Sequence, residues 1–169
     1  MEIDQDGKVF LVTGASTGIG RVTAEELARR GGHVILAGRS EARTGPVVEA
    51  IRRSTSNAKV EFLHVDLSDL GSVRGAAAAF LSRGLPLHVL VNNAGLAGVR
   101  GLTPGGFELT FGTNHLGPFL LTLLLLDRLK ESPHSRIVNV ASRAHYRARS
   151  IDWDAQLRPA VSTGGLDEY

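Results

Sequence analysis

The chain has 169 residues, the size of one domain, and 43% of them are hydrophobic while 21% are charged. This composition is typical of a globular α/β protein and excludes a disordered chain. The net charge is only +2 and the arginines are scattered, so no nucleic-acid partner is expected. The stretch 142–150 is either a solvated loop or a small anion-binding patch. The absence of cysteine and the dispersed histidines predict no disulfide and no metal site.

The start of the chain and its longest apolar run both favour a soluble protein. The opening stretch MEIDQDGKVFLVTG is polar and acidic up to its first apolar run, unlike a secretory signal peptide. The run LGPFLLTLLLL, residues 116–126, is shorter than a bilayer span and contains an early Gly-Pro pair. These features predict no membrane span and a cytoplasmic location.

Short apolar runs alternate with segments of helical periodicity almost as far as Ser142. The runs predicted as strands are residues 8–14, 33–38, 59–66, 87–93 and 136–142. The middle runs are nearly continuous in Val, Ile and Leu, as in parallel strands covered on both faces. Strands and helices that alternate through short loops form right-handed βαβ units. The sequence therefore predicts an α/β fold with a doubly wound parallel sheet, Rossmann-like, in a single domain spanning residues 1–169.

Helices are predicted between these strands. Residues 18–32 end in paired arginines and glycines, which is a C-terminal signal. Residues 68–84 carry an apolar stripe, and Ser68 or Asp69 is the expected N-cap. Pro46 would interrupt a longer second helix, so that helix is expected to begin near it. Residues 143–169 show no periodicity and are predicted to form an irregular tail.

The strongest motif is TGASTGIG, residues 13–20, between the first strand and the first helix. Gly14 permits a tight turn, Gly18 lets the backbone approach a pyrophosphate, and Gly20 lets helix and strand pack closely. The N-terminus of the helix then faces the phosphates with free N–H groups and a favourable dipole. Turn glycines alone are common, but the order of strand, turn and helix predicts a dinucleotide-binding site.

This T-G-x-x-x-G-x-G spacing resembles the short-chain dehydrogenase/reductase family, and further motifs agree with the resemblance along residues 7–142. NNAG follows the fourth strand at 92–95, VDLSD follows the third at 65–69, TNHLGPF occupies 113–119, and RIVNVAS ends at Ser142. The resemblance implies strand order 3-2-1-4-5, with the family's last two strands absent, and an NAD(P)-dependent oxidoreductase that interconverts a carbonyl and an alcohol. The cofactor-binding residues that it implies are Gly14, Ser16, Gly18, Ile19, Gly20, Asp66, Leu67, Asn93, Ala94 and Gly95.

The end of the second strand bears on the choice of cofactor. An acidic residue there would hydrogen-bond the ribose 2′-hydroxyl of NAD, but this chain has Gly38 followed by Arg39. A guanidinium matches the shape and charge of a 2′-phosphate. We therefore expect NADP rather than NAD, with Arg39 in the binding site; the alternative is that Arg39 is a solvated turn residue.

The resemblance also implies a catalytic set of Asn114, Ser142 and a tyrosine with a lysine four residues later. A free phenol has a pKa of about 10, and a lysine ammonium lowers it by stabilising the phenolate. The stretch SRAHYRARSIDWDAQLR, from residue 142, resembles the retinol-dehydrogenase-like branch, whose insertion here would place the tyrosine near Tyr169. Tyr146 is not expected to be catalytic because Ser150 stands where its lysine would be.

Three interpretations remain open on the sequence alone. The first is an enzyme with a small carbonyl or alcohol substrate, lipophilic by analogy with that branch, which needs sequence beyond Tyr169 for its lysine. Its apolar segment 117–130 would form a homo-oligomer interface, as the family resemblance implies. The second is a non-catalytic dinucleotide-binding or subunit-association module. The third is an inactive fragment in which Tyr169 has no role.

Overall fold

The computed structural model describes residues 4–147, 150–151 and 153–157 and contains a five-stranded parallel sheet. Its strands are β1 Val9–Thr13, β2 His33–Gly38, β3 Val60–His64, β4 Val89–Asn92 and β5 Arg136–Asn139. The strand order is β3-β2-β1-β4-β5, and each neighbouring pair is parallel. The predicted α/β doubly wound sheet and its strand order are confirmed, although most strands are shorter than the apolar runs that predicted them.

Helices connect the strands and cover the sheet. They are α1 Gly18–Arg29, α2 Glu41–Thr55, α3 Leu70–Leu81, α4 Leu109–Phe111, α5 Gly117–Glu131 and α6 Trp153–Leu157. A π-helical turn at Gly112–Leu116 joins α4 to α5, and a 3₁₀ turn occupies Arg143–Arg147. The irregular tail predicted after Ser142 is therefore partly wrong, because α6 and the 3₁₀ turn lie in it. Elements this short are too brief to leave a periodic pattern in the sequence.

The predicted start of α2 near Pro46 is wrong. The helix begins at Glu41 because the Ser40 hydroxyl caps it, accepting a hydrogen bond from the Arg43 N–H at 3.3 Å. Pro46 lies just after the first turn, where it removes one intrahelical hydrogen bond. The buried residues Val48 and Ile51 pack this helix against the sheet. The cap and the buried face together outweigh the loss of that single bond.

Alternate strand residues contribute to cores on opposite faces of the sheet. Phe10 and Val12 pack with α1 and α2, whereas Val9 and Leu11 pack with α3 and α5. Both faces of β1 are therefore buried, which explains why its sequence is continuously apolar rather than alternating. In contrast, β5 lies at the edge of the sheet and is exposed along its length.

The helical stretch Leu109–Glu131 contributes leucines to the core. Within the described residues, this 23-residue stretch is the one helix long and apolar enough to cross a membrane by length and composition. Leu121, Leu125 and Leu129 recur one turn apart and are buried beside α3. The prediction that no segment spans a membrane considered only the run 116–126, which is shorter at both ends than the helical stretch Leu109–Glu131. The buried leucines are those of a core helix, and the cytoplasmic location stays a prediction.

Candidate active site

A cleft of about 1560 Å³ lies at the carboxyl ends of the strands. The strand order reverses between β1 and β4, and open α/β sheets bind ligands at such a switch point. All the sequence-predicted site residues in the described part of the chain line this cleft: Gly14, Ser16, Gly18, Ile19, Gly20, Arg39, Asp66, Leu67, Asn93, Ala94, Gly95, Asn114 and Ser142. Tyr169 lies outside the described residues, so its predicted role is unaffected by this geometry.

The three glycines of the turn after β1 are needed for different structural reasons. A Cβ on Gly14 would lie 2.6 Å from the Cα of Ala94, and the φ of Gly14 is +68°. A Cβ on Gly20 would lie 2.6 Å from the Gly14 carbonyl oxygen and would also overlap the Asn93 side-chain nitrogen. Gly18 has a φ of +55° but no atom within 4 Å of its missing Cβ. Gly14 and Gly20 therefore permit close packing, whereas Gly18 leaves open space above the start of α1.

Thr13 and Asn93 hold this turn against the loop after β4. The buried hydroxyl of Thr13 accepts hydrogen bonds from the backbone N–H groups of Asn93 at 3.0 Å and Ala94 at 3.1 Å. The Asn93 carboxamide donates to the carbonyl oxygens of Thr13 at 2.9 Å and Gly14 at 3.2 Å. This reciprocal clamp fixes the close approach of Gly14 to Ala94. Sequence reasoning missed Thr13, whose only signal was its place before the first glycine.

The N-terminus of α1 is open toward the cleft. Its N-cap residue, Thr17, makes no side-chain hydrogen bond to the helix, whereas Ser40 and Asp69 cap α2 and α3. Gly18, Ile19 and Gly20 in the first turn all line the cleft. Helix-terminal N–H groups without protein partners, at the positive end of a helix dipole, favour an anion. This end of the cleft thus fits a phosphate or pyrophosphate group.

Two arginines line the cleft beyond the end of β2. Arg39 and Arg43 are both exposed, and neither forms an ion pair or hydrogen bond through its guanidinium with another described residue. Sequence reasoning identified Arg39 but missed Arg43. The missed signal was a second arginine four positions on, in the first turn of the following helix. The two guanidiniums provide positive charge in the part of the cleft after β2, where the chain carries no acidic residue at the strand end.

Asp66, at the end of the segment after β3, is held by its neighbours. Its Oδ1 accepts hydrogen bonds from the Ser68 N–H at 2.9 Å and the Ser68 hydroxyl at 2.7 Å. The Asp66 N–H in turn donates to the Ser72 hydroxyl at 2.9 Å. Within the described residues its Oδ2 has no hydrogen-bond partner. The carboxylate is therefore fixed in orientation with one oxygen left to accept a ligand donor.

Asn114 lies in the π-helical turn and binds the loop after β4. Its Oδ1 accepts from the Leu96 N–H at 2.9 Å, and its Nδ2 donates to the Leu96 carbonyl at 2.8 Å. π-helical turns are rare and often occur at functional sites, where they redirect a side chain. Both ends of this carboxamide are thus used to position the loop that carries Gly95. The family resemblance also implies that Asn114 helps to hold a water in a proton relay, and this role stays a prediction.

Within the lining of the cleft, Asn92 joins three elements. It is only 8% exposed, and its Nδ2 donates to the Thr122 hydroxyl at 3.1 Å and to the Asn139 Oδ1 at 2.9 Å. These bonds connect the end of β4 to α5 and to the end of β5, three residues before Ser142. The buried Oδ1 of Asn92 has no partner among the described residues, which is costly unless a donor reaches it. Sequence reasoning did not identify this network.

Ser142 follows β5 at the edge of the cleft. Its hydroxyl accepts a hydrogen bond from the Ala144 N–H at 3.2 Å, and its carbonyl accepts one from the His145 N–H at 3.4 Å. Tyr146 is 79% exposed and packs on His145, away from the cleft lining. Among the described residues, no tyrosine and no lysine lines the cleft. Ser142 and Asn114 are therefore the members of the predicted catalytic set that the described structure brings together.

The chain belongs to the short chain dehydrogenase family, whose profile matches residues 8–151. This confirms the resemblance carried by the glycine turn and the strand-end motifs. Human retinol dehydrogenase 11 is 51% identical over 144 residues, which are 85% of this chain and 45% of that protein. Mouse retinol dehydrogenase 12 is 50% identical over 155 residues, and human polyprenol dehydrogenase is 50% identical over 146. They cover 90% and 83% of this chain, and the matches span 49% and 44% of those proteins. The chain thus spans about half the length of these relatives.

Solved structures show the same fold. An uncharacterized protein from Mycobacterium paratuberculosis is 39% identical, with a TM-score of 0.78 over 99% of this chain and 58% of that one. A protein from Escherichia coli CFT073, assigned to the short chain dehydrogenases and complexed with NADPH, is 29% identical with a TM-score of 0.74. That alignment covers 89% of this chain and 65% of the other. NADP(H) is thus a known ligand of relatives that share this fold.

Proposed function

We propose that this chain binds NADP(H) in the cleft and belongs to a protein that interconverts a carbonyl and an alcohol. The observation that carries the proposal is the open N-terminus of α1 behind the Gly14 turn. Three first-turn residues line the cleft there without a side-chain cap, and the clamp of Thr13 and Asn93 fixes the turn in place. A cofactor pyrophosphate would take the position of the missing cap.

Arg39 and Arg43 support the preference for NADP over NAD. A 2′-phosphate carries charge that two otherwise unpaired guanidiniums would neutralise through charge-assisted hydrogen bonds. The 2′-hydroxyl of NAD carries no charge and would leave both guanidiniums without an ionic partner. Asp66, with one free carboxylate oxygen, would accept a hydrogen bond from the adenine end of the cofactor.

When bound, the nicotinamide supplies or accepts the hydride. The chain's own residues then have separate tasks. The Ser142 hydroxyl would hydrogen-bond the reacting oxygen, and Asn114 would hold the Gly95 loop in place beside it. Tyr169 would hold and transfer the proton at its phenol oxygen, and the lysine that lowers its pKa would stand four residues later. The names of the relatives, retinol and polyprenol dehydrogenases, support a lipophilic alcohol or aldehyde as substrate.

Titration of the protein with NADPH and with NADH, followed by nicotinamide fluorescence, tests the cofactor assignment. We expect NADPH to bind more tightly than NADH. In Arg39→Asp the NADPH/NADH affinity ratio should fall at least about tenfold, because the variant loses one charge-assisted hydrogen bond to the 2′-phosphate. An unchanged NADPH/NADH affinity ratio in Arg39→Asp would contradict the assignment. Turnover is tested separately, with NADPH consumption over a panel of aldehydes and ketones.

A second candidate function is a non-catalytic dinucleotide-binding module. It is favoured by one observation, namely that no tyrosine or lysine among the described residues lines the cleft. NADPH binding without turnover of any aldehyde or ketone, in a chain whose intact mass matches 169 residues, would support this candidate over the enzyme.

A further inference from the structure

The segment of residues 4–8 lies at the amino ends of the strands, whereas the cleft lies at their carboxyl ends. The Gln5 N–H donates to the Arg30 carbonyl at 2.8 Å and so ties this segment to the end of α1. The Lys8 N–H donates to the Gln5 carbonyl at 3.1 Å, and residues 5–8 therefore form a β-turn. We refer to residues 4–8 as the N-terminal strap.

The two central residues of this turn are Asp6 and Gly7. This is the only place in the chain where a glycine follows an aspartate or an asparagine. Both residues are exposed, and Gly7 has a φ of +75° with no atom within 4 Å of the Cβ that it lacks. Because glycine has no side chain, nothing on Gly7 shields its backbone nitrogen from the preceding carboxyl group. The Asp6 side chain is 67% exposed, so water also reaches that carboxyl group.

Two groups face the Asp6 carboxyl. The Nζ of Lys59, just before β3, lies 2.9 Å from its Oδ1. Lys59 lowers the pKa of Asp6 by a hydrogen bond and by its charge, and a hydrogen bond from the Gly7 N–H lowers that pKa further. The nitrogen of Gly7 is therefore directed at the carboxyl group of the residue before it. Lys59 keeps this group ionised, and an ionised carboxylate resists attack because its oxygen cannot leave as water.

We propose that Asp6 is a site of spontaneous isoaspartate formation, restrained by its ion pair with Lys59. The Gly7 nitrogen attacks the Cγ of protonated Asp6, and the new C–N bond closes a five-membered succinimide ring. The Gly7 amide proton and the carboxyl hydroxyl leave together as one water. A second water then opens the ring: attack at Cγ restores aspartate, and attack at the main-chain carbonyl gives isoaspartate. One water leaves and one is added, so mass is conserved and no co-reactant other than water is required.

Isoaspartate at position 6 would release the N-terminal strap. The main chain then runs through the former side-chain methylene, which lengthens the turn by one atom and breaks the bond from the Lys8 N–H to the Gln5 carbonyl. The carboxylate moves to the α-carbon, so its ion pair with Lys59 is lost as well. One turn hydrogen bond and one exposed ion pair contribute little to the stability of the whole chain. The sheet should therefore stay folded while the strap detaches from it.

Ageing of the 169-residue chain at mildly acidic pH tests the site. Isoaspartyl groups are counted by methyl transfer from S-adenosylmethionine with a protein isoaspartyl methyltransferase and are located by peptide mapping. We expect them to accumulate at Asp6 and to be absent from Asp6→Glu, which keeps the carboxylate but would have to close a six-membered ring. No isoaspartate at Asp6 would overturn the inference. Circular dichroism is recorded throughout, and isoaspartate that forms only as the helical signal is lost would overturn it too.

A pair of lysine variants tests the restraint by Lys59. Lys59→Met should speed the accumulation of isoaspartate about two- to fivefold, the equivalent of one exposed ion pair. Lys130→Met is the matched control, because it removes an exposed pair with Asp127, at 3.3 Å, on α5. Its rate should equal that of the unchanged chain. Equal rates in Lys59→Met and Lys130→Met would overturn the role of Lys59.

Discussion

Substituting Gly14 by alanine tests the packing of the candidate cofactor site. The new Cβ would lie 2.6 Å from the Cα of Ala94 and 2.9 Å from its Cβ. Ala94 has little freedom to retreat, because its N–H is bound to the buried Thr13 hydroxyl. Overpacking of this kind costs about 1–3 kcal/mol. The left-handed backbone at Gly14, with a φ of +68°, adds a cost of about 1–2 kcal/mol. We therefore expect the free energy of unfolding to fall by about 2–5 kcal/mol.

Two other glycines separate the two contributions. Gly18→Ala introduces the backbone strain alone, since nothing lies within 4 Å of its added Cβ, and should cost about 1–2 kcal/mol. Gly75→Ala, within α3 and also without a contact, should stabilise the chain by about 0.5–1 kcal/mol because glycine is unfavourable inside a helix. Urea unfolding followed by circular dichroism gives all three values. Equal losses for Gly14→Ala and Gly18→Ala would refute the clash with Ala94.

Other predictions concern the clamp, a histidine and the chain itself. Thr13→Val keeps the shape of the side chain but leaves the backbone N–H groups of Asn93 and Ala94 without an acceptor. The free energy of unfolding should therefore fall by about 1–3 kcal/mol, which chemical denaturation measures. The affinity for NADPH should fall as well, which fluorescence titration measures. Burial, with a smaller effect of Lys8, lowers the pKa of His88, whose Nδ1 accepts a hydrogen bond from the Val9 N–H at 2.9 Å. Stability from neutral His88 is therefore present above its unfolded pKa of about 6.5 and is lost as pH falls below it. The urea midpoint of wild type should drop between neutral and mildly acidic pH more than that of His88→Asn, and parallel curves would contradict this. Mass spectrometry of the natural gene product should give a mass above that of 169 residues, with a lysine four positions after Tyr169.

The fold could be predicted because its signals are local. Each strand is a short apolar run followed by a recognisable motif, and the order of the sheet came with the family resemblance. The start of α2 was predicted wrongly, because Pro46 is a strong sequence signal for the start of a helix. The cap at Ser40 that sets the true start depends on the rotamer of one side chain. The sequence also did not predict how far the helical stretch Leu109–Glu131 extends before α5. A π-helical turn breaks the regular period by which a helix is recognised.

The sequence predicted which residues belong to the candidate site, but not how they contact each other. The glycine turn and the residues after β3, β4 and β5 carry recognisable motifs, and those within the described chain line one cleft. The bonds that hold them together join residues far apart in sequence, such as Thr13 to Asn93 and Asn92 to Asn139. Sequence order gives no distance between such partners. Arg43 was missed because an exposed arginine in the first turn of a helix is ordinary unless it is known to line the same cleft as Arg39.

The uncapped N-terminus of α1 has a consequence for the lifetime of the protein in a cell. A ligand that completes a helix end binds the folded chain and not the unfolded one, so it stabilises the fold by mass action. At a free concentration one hundred times its Kd, such a ligand adds about 2.7 kcal/mol. Because proteolysis often tracks the unfolded population, a change of this size alters steady-state abundance several-fold. Under the proposed function NADP(H) is such a ligand, and its supply would set how much of this protein persists.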